Sequence, residues 1–245
     1  MSDDGARVSG IYRRADLYAD IYAGRGKDYA GDAERITALV RGRGGGTASL
    51  LDVACGTGSH LAHFRDSFAH VEGVDLAEDM VRVARRDLPG VPVHTGDMRD
   101  FRLGRRFSAI TCLFSSIGYL PGPAAVEAAV ACFARHLEPG GVIVLEPWYF
   151  PQTALERHVV GDVVAVGGRT IARVSRNVRE GAAHRMTVHY IVAHPDEGVQ
   201  HFTDEHVLAV IERERYEKAF TAAGCTVEYL PGAGPGLFVG VREAG

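Results

Sequence analysis

The segment Leu50-Leu51-Asp52-Val53-Ala54-Cys55-Gly56-Thr57-Gly58 constrains this chain more than any other. A short apolar run stopped by glycines reads as a buried strand turning sharply into a helix. Glycine permits that turn because it tolerates left-handed backbone and lets a ligand approach where a Cβ would clash. Around this segment helices and strands alternate. Helical spacing covers 28–41, 60–68, 78–88 and 124–137; strands are expected at 49–54, 71–75, 91–94, 107–114 and 142–146. The strands are continuously apolar, as in a parallel sheet covered on both faces. After Trp148 the pattern changes to alternation of period two over 163–166, 171–178, 185–193 and 206–211, split by glycine turns. A helix over 212–223 and strands over 226–230 and 237–241 follow. The expected fold class is therefore α/β: a doubly wound, mostly parallel sheet with a C-terminal antiparallel hairpin and an antiparallel β insert. The core domain is expected over 1–147 and 206–245, with the insert over 148–205 capping the site.

Composition removes whole classes of function. The 245 residues are 46% hydrophobic and 24% charged, ordinary globular usage with enough length for a full core. A net charge of −4 provides no general attraction to nucleic acid or to an anionic membrane, so neither is expected as a partner. The four cysteines form no CxxC pair and read as thiols of a reducing compartment. No apolar run is long enough to span a bilayer, and the expected location is the cytoplasm. His60 and His63 lack further ligands, and the insert histidines at 184, 189, 201 and 206 lack metal spacing, so no metal is expected. The insert histidines read as residues of solvated strand faces, with a substrate contact as the alternative.

A glycine turn after a strand also serves dinucleotide binders, so its neighbours decide the ligand. Leu61 stands where a dinucleotide fingerprint wants its third glycine, and Asp52 is poorly suited to face a diphosphate. Asp75 ends the next strand, where a carboxylate can accept hydrogen bonds from both ribose hydroxyls. These features suit a nucleoside whose other end is cationic.

With Val74-Asp75-Leu76 and Gly96-Asp97-Met98-Arg99-Asp100, the glycine segment resembles the class I S-adenosylmethionine-dependent methyltransferases and their Rossmann-like fold. Four further strings extend the likeness over nearly the whole chain: Gly26-Lys27-Asp28-Tyr29, the run from Phe114 to Leu120, Glu146-Pro147-Trp148-Tyr149-Phe150-Pro151 and Arg173-Val174-Ser175. Together they resemble the nucleotide-sugar N,N-dimethyltransferases that finish aminosugars of the desosamine and mycaminose type. The resemblance implies S-adenosylmethionine as cofactor, S-adenosylhomocysteine as product, a dTDP-aminosugar as substrate, and a homodimer. It implies that Ala54, Gly56 and Gly58 shape the loop around the methionine part and that Asp75 holds the ribose. Asp97 and Met98 would bracket adenine, Leu113 would add backbone contacts, and Tyr18 would close over the cofactor. Tyr119 would face the sugar amine, Glu146 would help orient it, Tyr12 would contact substrate, and Trp148 would lie in the substrate site.

Methyl transfer to an amine is an in-line displacement that needs the nitrogen neutral and held in a near-attack geometry. Burial and a nearby sulfonium both disfavour the ammonium form. The diphosphate needs charged donors, and the C-terminal turn at 232–236 contains no arginine. Arg173, assisted by Ser175 or Arg176 in the insert, is the expected phosphate clamp. The core motifs alone leave open another small amine or hydroxyl acceptor, a nucleotide sensor without chemistry, and a nicotinamide-dependent oxidoreductase.

Overall fold

A computed structural model describes residues 10–232 and 234–243. The first nine residues of the expected core domain and Ala233 in the C-terminal turn lie outside the described residues.

Four apolar strands run parallel at the centre of the larger sheet: β1 (Leu50–Val53), β2 (Val71–Asp75), β4 (Phe107–Cys112) and β5 (Leu137–Leu145). A short strand β3 (Val93–Thr95) forms one edge. The hairpin β10 (Cys225–Leu230) and β11 (Leu237–Arg242) forms the other, with β11 antiparallel to β5. The order is β10-β11-β5-β4-β1-β2-β3, so the chain reverses its direction of winding between β1 and β4.

Alternation along these strands fills both faces. Leu51, Val53, Ile110 and Cys112 pack beneath α5 (Pro123–Arg135) and α6 (Arg213–Ala222) with Phe133, Tyr216 and Phe220. Leu50 and Ala109 face the other way, beneath α2 (Tyr29–Gly42), α3 (Leu61–Phe64) and α4 (Glu78–Asp87). This is why the strands read as unbroken apolar runs.

The second sheet is an antiparallel meander of β6 (Arg157–Val166), β7 (Arg169–Glu180), β8 (Ala183–His194) and β9 (Gly198–Ala209). The β6–β7 connection is Gly167-Gly168 with φ of 57° and 76°, a two-residue turn that glycine makes easily. Its inner face carries Ile171, Arg173, Ser175 and Asn177, while Val174 is 50% exposed on the outer face. Helix α1 (Ala15–Gly24) covers the inner face: Leu17 and Ile21 pack on Val164, Ile171 and Val188. On its other side Ala15 meets Met80 and Val83, so the N-terminal helix joins the insert to the core.

The structure differs from the sequence-based expectation at several elements; β6, expected over 163–166, already begins at Arg157. The helix expected over 60–68 is only Leu61–Phe64, because Asp66 and Ser67 close tighter turns onto His63 and Phe64. The strand expected over 142–146 begins already at Leu137 and so takes in 138–141, with a register shift opposite Phe107 and Ala109. The fourth insert strand begins at Gly198 and runs to Ala209, past the expected boundary at 205, because its alternation continues unbroken through Glu205, His206, Val207 and Leu208.

Candidate active site

In an open α/β sheet the loops diverge where the winding reverses, leaving a crevice at the carboxyl ends of the strands. A cavity of about 500 Å³ lies at that place, between the strand ends and the insert. Its floor includes Val53 at the end of β1 with Ala54 and Gly56 beyond it, Asp75 at the end of β2, and Gly96, Asp97 and Met98 after β3. The loop after β1 holds left-handed backbone at Ala54 (φ 58°) and Gly56 (φ 57°). A Cβ on Gly56 would meet nothing within 4 Å, so this glycine opens space toward a ligand as well as easing the turn. The left-handed alanine marks strain of the kind that gathers at ligand clamps.

Asp75 is fixed at both oxygens. Gly56 N donates to Oδ2 and Ala77 N to Oδ1, each at 2.8 Å. Burial raises its carboxyl above the ordinary value, and the backbone amides of Ala77, Gly56 and Leu76 pull against that rise. Each oxygen keeps a lone pair for a diol. Asp97 is more occupied: Arg99 donates from Nη2 to Oδ2 at 2.6 Å, from Nε to both oxygens, and from its backbone N to Oδ1. Those bonds hold its carboxyl below the ordinary value, so it stays charged, but an adenine amine would have to share it with Arg99.

The roof is aromatic. Tyr12 and Tyr18 reach in from the N-terminal segment with ring centroids 5.7 Å apart, and Tyr119 reaches in from the single helical turn Ser116–Tyr119. The Tyr12 and Tyr119 hydroxyls lie 2.7 Å apart, and the Tyr119 hydroxyl is 2.8 Å from His206 Nδ1. Burial raises both tyrosines well above the usual phenol range. Eight expected site residues therefore share one cavity: Tyr12, Tyr18 and Tyr119 above, with Ala54, Gly56, Asp75, Asp97 and Met98 below.

Other expected site residues lie elsewhere. Gly58 is a packing glycine: with φ of 82°, its Cβ would come within 2.6 Å of Leu88. Leu113 is buried in the core and its carbonyl accepts from Ser116 N, so Phe114 meets the cavity in its place. Glu146 does not line the cavity; Phe114 N donates to its Oε2 at 2.8 Å and Ser115 donates to Oε1. Those bonds hold the left-handed pair Phe114 (φ 58°) and Ser115 (φ 56°), so Glu146 supports the floor rather than the amine. Trp148 clasps the insert, donating from Nε1 to His184 Nδ1 at 3.0 Å and packing against Gly118.

The three clamp residues divide between two faces. Arg173 is 9% exposed on the inner face, where it donates to Ser175 Oγ at 3.3 Å; it neighbours Tyr22, Tyr190 and His206 behind the cavity wall. Arg176 stands on the exposed outer face and cannot share a ligand with Arg173.

The sequence reading missed His206, Arg185 and Glu205, which line the cavity from the insert. His206 and His184 are 5% and 0% exposed, against the expectation of solvated faces, whereas His189 and His201 stack on the exposed outer side. The available signal was phase: counting back from buried Leu208 by twos reaches His206 and Asp204.

Asp52, just beneath the glycine turn, is 2% exposed and accepts from Thr111 Oγ1 at 2.7 Å. Burial pushes its carboxyl from 3.8 up to about 6. Its folded value exceeds its unfolded one, so its stabilising contribution is present at acid pH and lost as pH rises through about 6. Above that range a buried charge costs about 3 kcal/mol. Asp52→Asn, which keeps an acceptor for Thr111, should therefore melt higher than the native chain at pH 8, with the gap closing near pH 4. Melting curves across that range test this; an equal shift at every pH contradicts it.

Comparison with known proteins agrees with this geometry. A family described as "Methyltransferase domain" matches residues 50–141. The chain is 57% identical to a dTDP-3-amino-3,4,6-trideoxy-alpha-D-glucopyranose N,N-dimethyltransferase of Streptomyces venezuelae, over 93% of this chain and 97% of that one. It is 45% identical to a dTDP-4-amino-2,3,4,6-tetradeoxy-D-glucose N,N-dimethyltransferase of Saccharopolyspora spinosa, over 99% of each. Among solved structures, a S-adenosylmethionine-bound amino pentose methyltransferase from Micromonospora echinaspora superposes with a TM-score of 0.85 at 46% identity, covering 92% of this chain and 96% of that one. The chain belongs to the sugar N,N-dimethyltransferases, a family of S-adenosylmethionine-dependent methyltransferases.

Proposed function

We propose that this chain transfers methyl groups, two in succession, from S-adenosylmethionine to the amine of a dTDP-linked amino-deoxysugar in antibiotic aminosugar biosynthesis. The observation that carries the reading is a single cavity with a ribose-type acceptor, Asp75, at the strand ends and hydroxyl groups facing it from the roof. The residues present fit the cofactor: a glycine-opened floor, a buried carboxylate with free lone pairs, and apolar Met80 and Met98 along the wall. When bound there, S-adenosylmethionine supplies an electrophilic methyl on a cationic sulfur.

The chain's own groups bind, orient and exclude water. Asp75 holds a ribose, Asp97 and Met98 bracket a base, and Tyr18 closes the roof. Tyr12 orients the acceptor nitrogen through its hydroxyl, which Tyr119 positions, and no covalent intermediate with the protein is required. The greater similarity to the 3-amino relative favours an amine at that position of the hexose.

Tyr119→Phe removes the hydroxyl between Tyr12 and His206 while keeping the ring. Turnover should fall by roughly ten- to a hundredfold with little change in KM, since orientation matters most near the transition state. Steady-state kinetics decide: a raised KM with unchanged kcat makes Tyr119 a binding residue only. The reading as a whole is tested by calorimetric titration of the protein with S-adenosylhomocysteine and then with dTDP. Both should bind, and together; binding of neither refutes the site.

A further inference from the structure

A chain of hydrogen bonds leaves the cavity roof and ends at a buried ion pair. It runs from Tyr12 to Tyr119 at 2.7 Å and on to His206 Nδ1 at 2.8 Å. On the far side of the ring, His206 Nε2 makes no hydrogen bond and lies 3.6 Å from Asp204 Oδ2. Asp204 is itself fixed, since Gly10 N and Ile11 N donate to its two oxygens at 3.0 and 2.8 Å. The same carboxylate thus anchors the segment that carries Tyr12 and faces the imidazole.

The arrangement gives the chain a direction. An anionic Asp204 beside Nε2 favours the tautomer with its proton there, leaving Nδ1 as an acceptor. Tyr119 then donates to Nδ1, Tyr12 donates to Tyr119, and the remaining lone pairs of the Tyr12 oxygen are left to accept from a group in the cavity. Sugar amines are largely protonated near neutral pH, yet only the neutral amine can attack.

We propose that His206 is the terminal proton acceptor for the substrate ammonium, reached through Tyr12 and Tyr119 and steadied by Asp204. This rests on the amine-acceptor reading above. In the step, one ammonium N–H bond breaks and its proton passes to the Tyr12 oxygen. The Tyr12 hydroxyl proton moves to Tyr119, and the Tyr119 proton moves to Nδ1. The nitrogen recovers its lone pair, both phenols end neutral, and the imidazole becomes imidazolium. The proton leaves to solvent from this cavity-lining ring when the product departs. Because burial disfavours both phenolates, the transfers are concerted rather than stepwise. Tyr12 is the catalytic group that touches the amine; Tyr119 and His206 act through it.

The groups facing His206 set its charge. Asp204 on its own strand favours imidazolium, Arg173 on β7 opposes it, and the two tyrosines lie against the ring. Burial outweighs Asp204 and keeps the imidazole below its ordinary value, so it is free to accept near neutral pH.

The test is the pH profile of kcat/KM for a dTDP-amino-deoxysugar in the native chain, His206→Asn and His206→Gln. The native profile should show an acid inflection below the ordinary imidazole range. Both variants should lose that inflection and fall roughly tenfold to a hundredfold at neutral pH. They should recover toward the native rate at alkaline pH, where the amine is already neutral. Affinity for S-adenosylhomocysteine should stay unchanged, which also reports folding. Variants that keep the native profile, or lose the same factor at every pH, overturn the relay. A native profile without the inflection also overturns it. No methylation by the native chain refutes the underlying reading instead.

Discussion

Asp75→Ala is expected to weaken S-adenosylmethionine binding by about a hundredfold. On the proposed reading this carboxylate takes the ribose hydroxyls, and hydrogen bonds to a charged group contribute about 1.5–3 kcal/mol each. One such bond at the upper end, or two at the lower, gives about two powers of ten. The structure adds a second loss. Asp75 also accepts from Gly56 N and Ala77 N, so truncation orphans two donors and loosens the turn that shapes the floor. Calorimetric titration measures the change, and unchanged affinity would remove Asp75 from the cofactor site.

The second large effect is at Arg173. Its guanidinium is 9% exposed, donates to Ser175 Oγ and makes a long contact to Met186 Sδ, yet no carboxylate lies within ion-pair distance among the described residues. A buried charge without a counter-charge is costly, and a substrate diphosphate would offset that cost. We propose that Arg173, with Ser175 and without Arg176, contacts the phosphate by reaching past the cavity wall behind which it lies. Arg173→Ala should raise KM for the nucleotide sugar by roughly tenfold to a few hundredfold, in line with about 1.5–3 kcal/mol for a charged hydrogen bond. Affinity for the cofactor should not move. If KM holds, the buried guanidinium is structural, and the cavity-lining Arg185 becomes the better candidate.

Much of the fold was legible because its signals are local. Continuous apolar strands, the turn at Gly56 and the glycine-punctuated meander each follow from a few adjacent residues. The cavity floor was legible for the same reason, since Ala54, Asp75 and Asp97 all sit at or just past a strand end. The roof was not. His206 faces inward because it shares the phase of buried Leu208, but Val207, Ala209 and Ile211 are apolar in the opposite phase, so the short run alone does not say which face is buried. Glu146 was misread because a strand-end carboxylate looks the same whether it serves a ligand or a neighbouring loop. Only the left-handed pair Phe114 and Ser115, invisible in the sequence, showed which it serves. Arg173 and Arg176 differ by an odd number of positions, and strand geometry alone already separates them.

The central claim is methyl transfer to a nucleotide-linked amine, and mass spectrometry of one reaction mixture tests it most directly. The purified chain, S-adenosylmethionine and a dTDP-3-amino-deoxysugar should yield a product heavier by one methylene unit and then by two, with S-adenosylhomocysteine accumulating in step. A nucleotide sugar of unchanged mass, while S-adenosylmethionine still binds, would contradict the account.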